Sequence, residues 1–252
     1  MTPSTALIQY TLHLADDSLI LGHRNSEWTG HGPILEQDIA LSNIALDLIG
    51  QARNLYQYAA ELSGPPMTED HLAYLRDGWD FLNCLLVEQS NGDWAKTILR
   101  QFFFSAYQTA LYERLAQGRD KTLAAIGAKS YKEGVYHLRW SSEWVIRLGD
   151  GTRESHTRME NALEELWKFT GELHTAASYE LEMATAGIGP EIIPLRRTWE
   201  EKVKEVFDEA GLSYPPSAWM QTGGKEGRHT EHLGYILAEM QFLQRAYPGC
   251  EW

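Results

Sequence analysis

The sequence predicts one all-α domain over residues 1–252, a core of four long helices with shorter helices packed around it. Three observations predict it. Long segments between breakers carry apolar residues at three- and four-residue spacing. Compact turns separate them: Gly64-Pro65-Pro66, Ser90-Asn91-Gly92, Gly149-Asp150-Gly151, residues 187–190 and Tyr214-Pro215-Pro216. No run of strands, fixed-period repeat or low-complexity tract breaks the pattern.

The first long helix is expected over 33–63, from Pro33 to the turn at Gly64, which matches helix boundary chemistry. Leu41, Ala45, Leu48, Ala52, Leu55, Ala59 and Leu62 form its apolar stripe. At about 1.5 Å per residue it would run roughly 45 Å, long enough for a bundle. The second is expected over 93–117, with Asp93 as N-cap and Gly118 beyond its end. The third runs over 120–149, from Asp120 to Gly149, and the fourth over 155–185, from Ser155 towards Gly187. Shorter helices fit 5–22, 68–86, 193–210 and 229–246.

Helix 120–149 reads as apolar on two faces. Ala128, Tyr131, Val135, Leu138, Ser142 and Val145 line one; Ile126, Ser130, Glu133, His137, Trp140 and Trp144 line the other. A helix apolar on both sides is buried on both sides, so one face should meet the core and the other a flanking helix or a partner chain.

Composition narrows the function. With 22 basic and 35 acidic residues the net charge is −13, which repels phosphate backbones and anionic lipids. A local basic pocket stays possible. Nine Trp and twelve Tyr supply area for a large core or extensive interfaces. Cys84 and Cys250 lie far apart and no C-x-x-C occurs, so a disulfide framework or zinc ribbon is excluded and a reducing, cytoplasmic setting is expected. The start, MTPSTALIQYTLHLADDSL, has no basic region and carries Asp16 and Asp17, unlike a signal or transit peptide. No apolar run of about 18 residues suggests a membrane span.

One stretch raises a metal question. In YKEGVYHLRW, Glu133 and His137 share a helix face. A di-iron bundle needs carboxylates from two helices and a Glu-x-x-His pair from each of the other two. Glu-x-x-His occurs once, at Glu226–His229, in a glycine-rich helix entry. Three residues after Glu133, Glu172 and Glu180 stand Tyr136, Thr175 and Met183. The missing half-site weighs against core metal and for a hydrogen-bonded polar pair. Asp47, Gln51, Asn54 and Tyr58 form a second polar stripe, read as a buried or interfacial layer because Asp47 lies between Leu46 and Leu48. A remnant ligand helix is the other reading. Glu226, His229 and His232 could make a surface metal site; the simpler reading is a helix start capped by Thr230 or Glu231. No G-x-S-x-G or phosphate-loop pattern occurs. Phe102, Phe103, Phe104 and Tyr107 read as core.

Four blocks carry a likeness: EWTGHGPILEQDIALSNIALDLIGQARN (27–54), LLVEQSNGDWAKTILRQFF (85–103), YKEGVYHLRWSSEWVIRLGDGT (131–152) and TGGKEGRHTEHLGYILAEMQFLQRAYPGCEW (222–252). They resemble the C-type structural subunits of bacterial phenylacetyl-CoA epoxidases, also called phenylacetate-CoA oxygenases, over essentially the whole chain. The resemblance implies a ferritin-like helical bundle. It also implies a non-catalytic structural role beside a homologous catalytic, A-type subunit in a hetero-oligomer with other subunits. That complex epoxidises the ring of phenylacetyl-CoA with O₂. It uses a di-iron centre in the catalytic chain, and NADPH supplies electrons through a reductase subunit. No catalytic, cofactor-binding or metal residue is carried over to this chain. For the chain alone a homodimer is left open.

Two other readings compete. One is a self-sufficient di-iron or di-manganese enzyme using Asp47, Glu133, His137 and Glu172. The other is an architectural or acyl-CoA-binding bundle.

Overall fold

The computed structural model describes residues 4–216 and 219–250. Among these the regular structure is helical throughout, with no strand. The α-helices are α1 (Thr5–Ser26), α2 (Leu35–Ser63), α3 (Leu85–Glu88), α4 (Trp94–Leu115), α5 (Lys121–Gly149), α6 (Arg153–Leu166), α7 (Ser178–Thr185), α8 (Ile192–Ala210), α9 (Glu231–Met240) and α10 (Phe242–Ala246). None of them is long and apolar enough to cross a membrane. The chain divides into two compact units, residues 1–90 with 177–179 and 223–252, and residues 91–176 with 180–222.

The first unit is built on an antiparallel hairpin of α1 and α2. A Cβ on Gly22 would lie 3.3 Å from Leu48 Cβ, while Asp16, earlier on α1, bonds Tyr56, later on α2. Ser4 caps α1 by accepting the Leu7 amide at 3.1 Å. Helix α1 continues to Ser26, beyond the expected end at 22, so it ranks with the long helices. The stripe read on α2 is buried from Leu41 to Ala59, with Leu62 half-buried. Gly64 ends α2 at a φ of 74°, a left-handed value that favours glycine.

The helix expected over 68–86 is not continuous. One π turn (His71–Leu75), one 3₁₀ turn (Gly78–Asp80) and α3 replace it. The reason is tertiary: backbone groups of Leu82 and Cys84 bond side chains of α1 instead of their own helix.

The second unit is built on α4 and α5. Asp93 caps α4 through the Lys96 amide at 3.0 Å, and Asp120 caps α5 through the Thr122 and Leu123 amides at 3.0 and 2.9 Å. Phe102, Phe103, Phe104 and Tyr107 are buried, as read. Phe103 sits among Trp167, Trp199 and Phe207, with ring centroids 5.7–6.0 Å away. Each such ring contributes about 1.5–3 kcal/mol by leaving water. Trp199 Nε1 donates to the Phe103 carbonyl at 2.9 Å and fixes α8 on α4. On α5, Ser130, His137 and Trp140 are buried, whereas Ala128 and Val135 of the opposite face are exposed.

The helix expected over 155–185 also breaks. α6 gives way to 3₁₀ turns at Trp167–Phe169 and Gly171–His174 before α7 starts. Residues 219–221 cross over the break. Gln221 donates its amide to the Lys168 carbonyl at 2.8 Å, and a Cβ on Gly171 would lie 2.5 Å from Met220 Cγ. The incoming chain therefore satisfies a carbonyl that an unbroken helix would have kept.

Candidate functional site

The polar chemistry of the first unit gathers where α1 faces residues 76–88. His13, Asp16 and Asp17 lie three and four apart on α1, so they share a face, and all are buried. His13 Nδ1 donates to the Leu82 carbonyl at 2.8 Å. Asp16 Oδ2 accepts the Leu82 amide at 2.8 Å, and Asp17 Oδ1 accepts the Cys84 amide at 2.7 Å. One turn of helix thus satisfies a strip of extended backbone.

Asp16 is filled by its own protein. It also accepts Tyr56 Oη at 2.5 Å and both terminal nitrogens of Arg76, Nη1 at 3.1 Å. Arg76 lies over the Phe81 ring, 4.1 Å from its centroid, and donates to the Asp80 carbonyl at 2.8 Å. Burial opposes the charge of Arg76, but the Asp16 carboxylate outweighs it and holds the guanidinium more basic than usual. Burial and the Asp16 charge together push the Tyr56 phenol well above its ordinary range. Burial raises Asp17 above the usual carboxylate range, against the pull of His13, the Cys84 amide and Lys225.

Glu88, at the end of α3, is filled likewise. Oε2 accepts His229 Nδ1 at 2.8 Å and Asn83 Nδ2 at 2.9 Å. Oε1 accepts both the amide and the hydroxyl of Thr230 at 2.7 Å. A carboxylate offers roughly four lone-pair sites, and in each of Asp16 and Glu88 four donors of the chain itself reach them. The basic side chains facing them are Arg76 and His229 of the chain itself.

The residues singled out by sequence fall elsewhere or behave differently. Asp47 is half-buried on α2, while Gln51 of the same stripe is buried. Glu133 is half-buried on α5, with Lys129 Nζ 4.0 Å away. His137 is buried one turn later, its ring 6.2 Å from Tyr136. Glu172 is buried in the Gly171–His174 turn. Among the described residues no three His, Cys, Asp or Glu side chains group as a metal ion requires.

Of the two readings of Glu226, His229 and His232, the helix start is the one that matches the positions of these residues. Glu226 is exposed and paired with Arg228, whereas His229 is half-buried with its ring turned in against Glu88. Thr230 is the N-cap of α9 as read, but its side chain makes no capping bond within the helix; it turns to Glu88. A carboxylate 142 residues away binds the helix start.

A family model described as phenylacetic acid catabolic protein matches residues 2–252. The chain belongs to this family. The C-type subunit of the 1,2-phenylacetyl-CoA epoxidase of Escherichia coli (strain K12) is 51% identical to it over 246 residues, which is 98% of this chain and 99% of that relative. In this member of the phenylacetic acid catabolic protein family, Asp16, Asp17, Arg76 and Glu88 are the residues sequence reasoning missed. A signal existed for two of them: adjacent acids between Leu14-Ala15 and Leu19-Ile20-Leu21 in a helical run. Glu88 and Arg76 offered none, because their partners lie far away in sequence.

Proposed function

We propose that this chain is the C-type subunit of a cytoplasmic 1,2-phenylacetyl-CoA epoxidase, a non-catalytic component that packs against and supports a homologous catalytic, A-type subunit. The observation that carries the reading is the 51% identity to such a C-type subunit over nearly the full length of both chains. Two features favour it. The buried carboxylates Asp16 and Glu88 are fully engaged by the chain's own donors, an arrangement that builds scaffold and does not suit metal chemistry. In addition, Leu35, Ile39 and Leu46 leave an apolar stripe exposed along α2, the kind of surface a permanent partner covers.

The ferritin-like, single-domain reading belongs to the same proposal; α1, α2, α4 and α5 are the four long helices such a bundle needs. In the complex, the di-iron centre and its oxygen chemistry reside in the catalytic partner, and NADPH supplies electrons through the reductase subunit. The lone chain would pair with itself.

Co-expression with the catalytic chain tests the proposal. The two should co-elute on size exclusion, iron should follow the catalytic chain, and phenylacetyl-CoA should turn over only in the complex. Two metal ions per lone chain, with turnover lost in Glu133→Ala, would overturn it in favour of the self-sufficient enzyme.

A further inference from the structure

We infer that a proton on His229 latches the segment carrying α9 and α10 onto the rest of the first unit, and that losing this proton opens the segment about the glycine loop before it. The geometry demands the proton. His229 Nδ1 lies 2.8 Å from Glu88 Oε2 and Nε2 lies 2.9 Å from the Phe81 carbonyl. The Phe81 carbonyl only accepts, and so does the Glu88 carboxylate when ionised, so against that carboxylate the ring donates from both nitrogens, which only the imidazolium does. A neutral ring would set one lone pair against another inside the protein, a costly contact.

The same carboxylate that holds His229 holds the next residue. Thr230, the N-cap of α9, gives its amide and its hydroxyl to Glu88 Oε1. Release of His229 therefore weakens the helix start as well. The loop just upstream, with Gly223 at φ 136° and Gly227 at φ 79°, holds conformations that side-chain-bearing residues rarely adopt and packs on the main chain of Asn83 and Trp79, so it marks the fixed end about which the segment would move. The far end is tied separately, through Gln241 Nε2 to the Ala73 and Arg76 carbonyls and Arg245 to Asp77.

The charges around His229 come from each neighbouring element. α3 supplies Glu88. α1 supplies Asp16, Asp17 and Arg24, the last bound through its guanidinium to the Glu88 carbonyl. Residues 76–80 supply Arg76, paired with Asp16, and Asp80; the loop itself supplies Lys225, Glu226 and Arg228. Burial disfavours the imidazolium, but Glu88, the Phe81 carbonyl and Asp16 outweigh it and raise its pKa.

Hydrogen exchange from about pH 6 to pH 9, corrected for intrinsic rates, tests the latch on the unmodified chain. From about pH 6.5, the ordinary imidazole value, up to the raised pKa of His229 in the closed form, opening of residues 228–240 should rise by up to about tenfold per pH unit and then level off, while α4 and α5 keep their protection. His229→Gln should show the open level in that segment at every pH. Protection of 228–240 that stays constant with pH, or falls only in step with α4 and α5, would overturn the inference. So would full protection in His229→Gln.

Discussion

The Asp16 carboxylate and the Arg76 guanidinium, 60 residues apart, meet as a bidentate pair with Asp16 wholly buried. The pair ties residues 76–82 to the middle of α1, and the Leu82 amide and Tyr56 hydroxyl complete the carboxylate's shell. Removing one member of such a pair leaves an uncompensated charge inside the protein. Asp16→Ala should therefore cost about 3–5 kcal/mol in urea unfolding. Tyr56→Phe, which removes a single bond to a charged group, should cost about 1.5–3 kcal/mol. A loss under about 1 kcal/mol for Asp16→Ala would show that the pair holds nothing together.

Two histidines should tilt stability with pH in opposite directions. Burial lowers the pKa of His23 below its ordinary value. The unfolded chain then binds the proton more readily, so stability falls as pH drops below about 6.5. His229 has a raised pKa, so its contribution is complete below about 6.5 and fades as pH climbs through the folded value. Urea midpoints for His23→Leu should lose the acid-side decline between about pH 7 and pH 5.5. An unchanged slope in that variant would exclude His23 as its source.

Glycine substitutions separate close packing from helix propensity. A Cβ on Gly224 would lie 2.3 Å from the Asn83 carbonyl oxygen and 3.0 Å from the Leu85 amide nitrogen, both main-chain atoms. Gly224→Ala should cost at least about 2 kcal/mol, since the backbone has no rotamer with which to yield. Gly234, in the middle of α9, has nothing within 4 Å of such a Cβ. Gly234→Ala should raise stability by about 0.5–1 kcal/mol. Thermal melts of the two variants should move in opposite directions.

The exposed stripe of α2 gives a partner-specific test. Leu46 is 67% exposed, so Leu46→Glu should leave the lone chain's stability within about 0.5 kcal/mol of the parent. In the complex a carboxylate there would be buried without a partner, and co-elution with the catalytic chain should drop at least about tenfold. Undiminished co-elution would move the docking surface off this face of α2.

What the sequence revealed and what it hid divide by range. The caps Asp93 and Asp120 were readable because a cap acts on amides two or three residues away. The stripe of α2 was readable because its period is local. The breaks in 68–86 and 155–185 were not, because the groups that make them, Asp16 and Asp17 in one case and Gln221 in the other, sit more than fifty residues off. Local spacing in those two stretches shows helical tendency and does not show where the helix breaks. The buried cluster was hidden for the same reason. Asp16 and Asp17 looked like evidence about a leader peptide until the fold set Leu82 and Cys84 against them, and His229 read as part of a helix start with no hint of Glu88.

Asp16 and Asp17 grip main-chain amides, and an amide is the same in every residue but proline. The identity demanded at position 82, where Leu82 is half-buried, is correspondingly loose. Tolerance to change should therefore be lopsided across this contact. Saturation mutagenesis would find position 16 nearly frozen, while position 82 admits many residues and refuses proline above all.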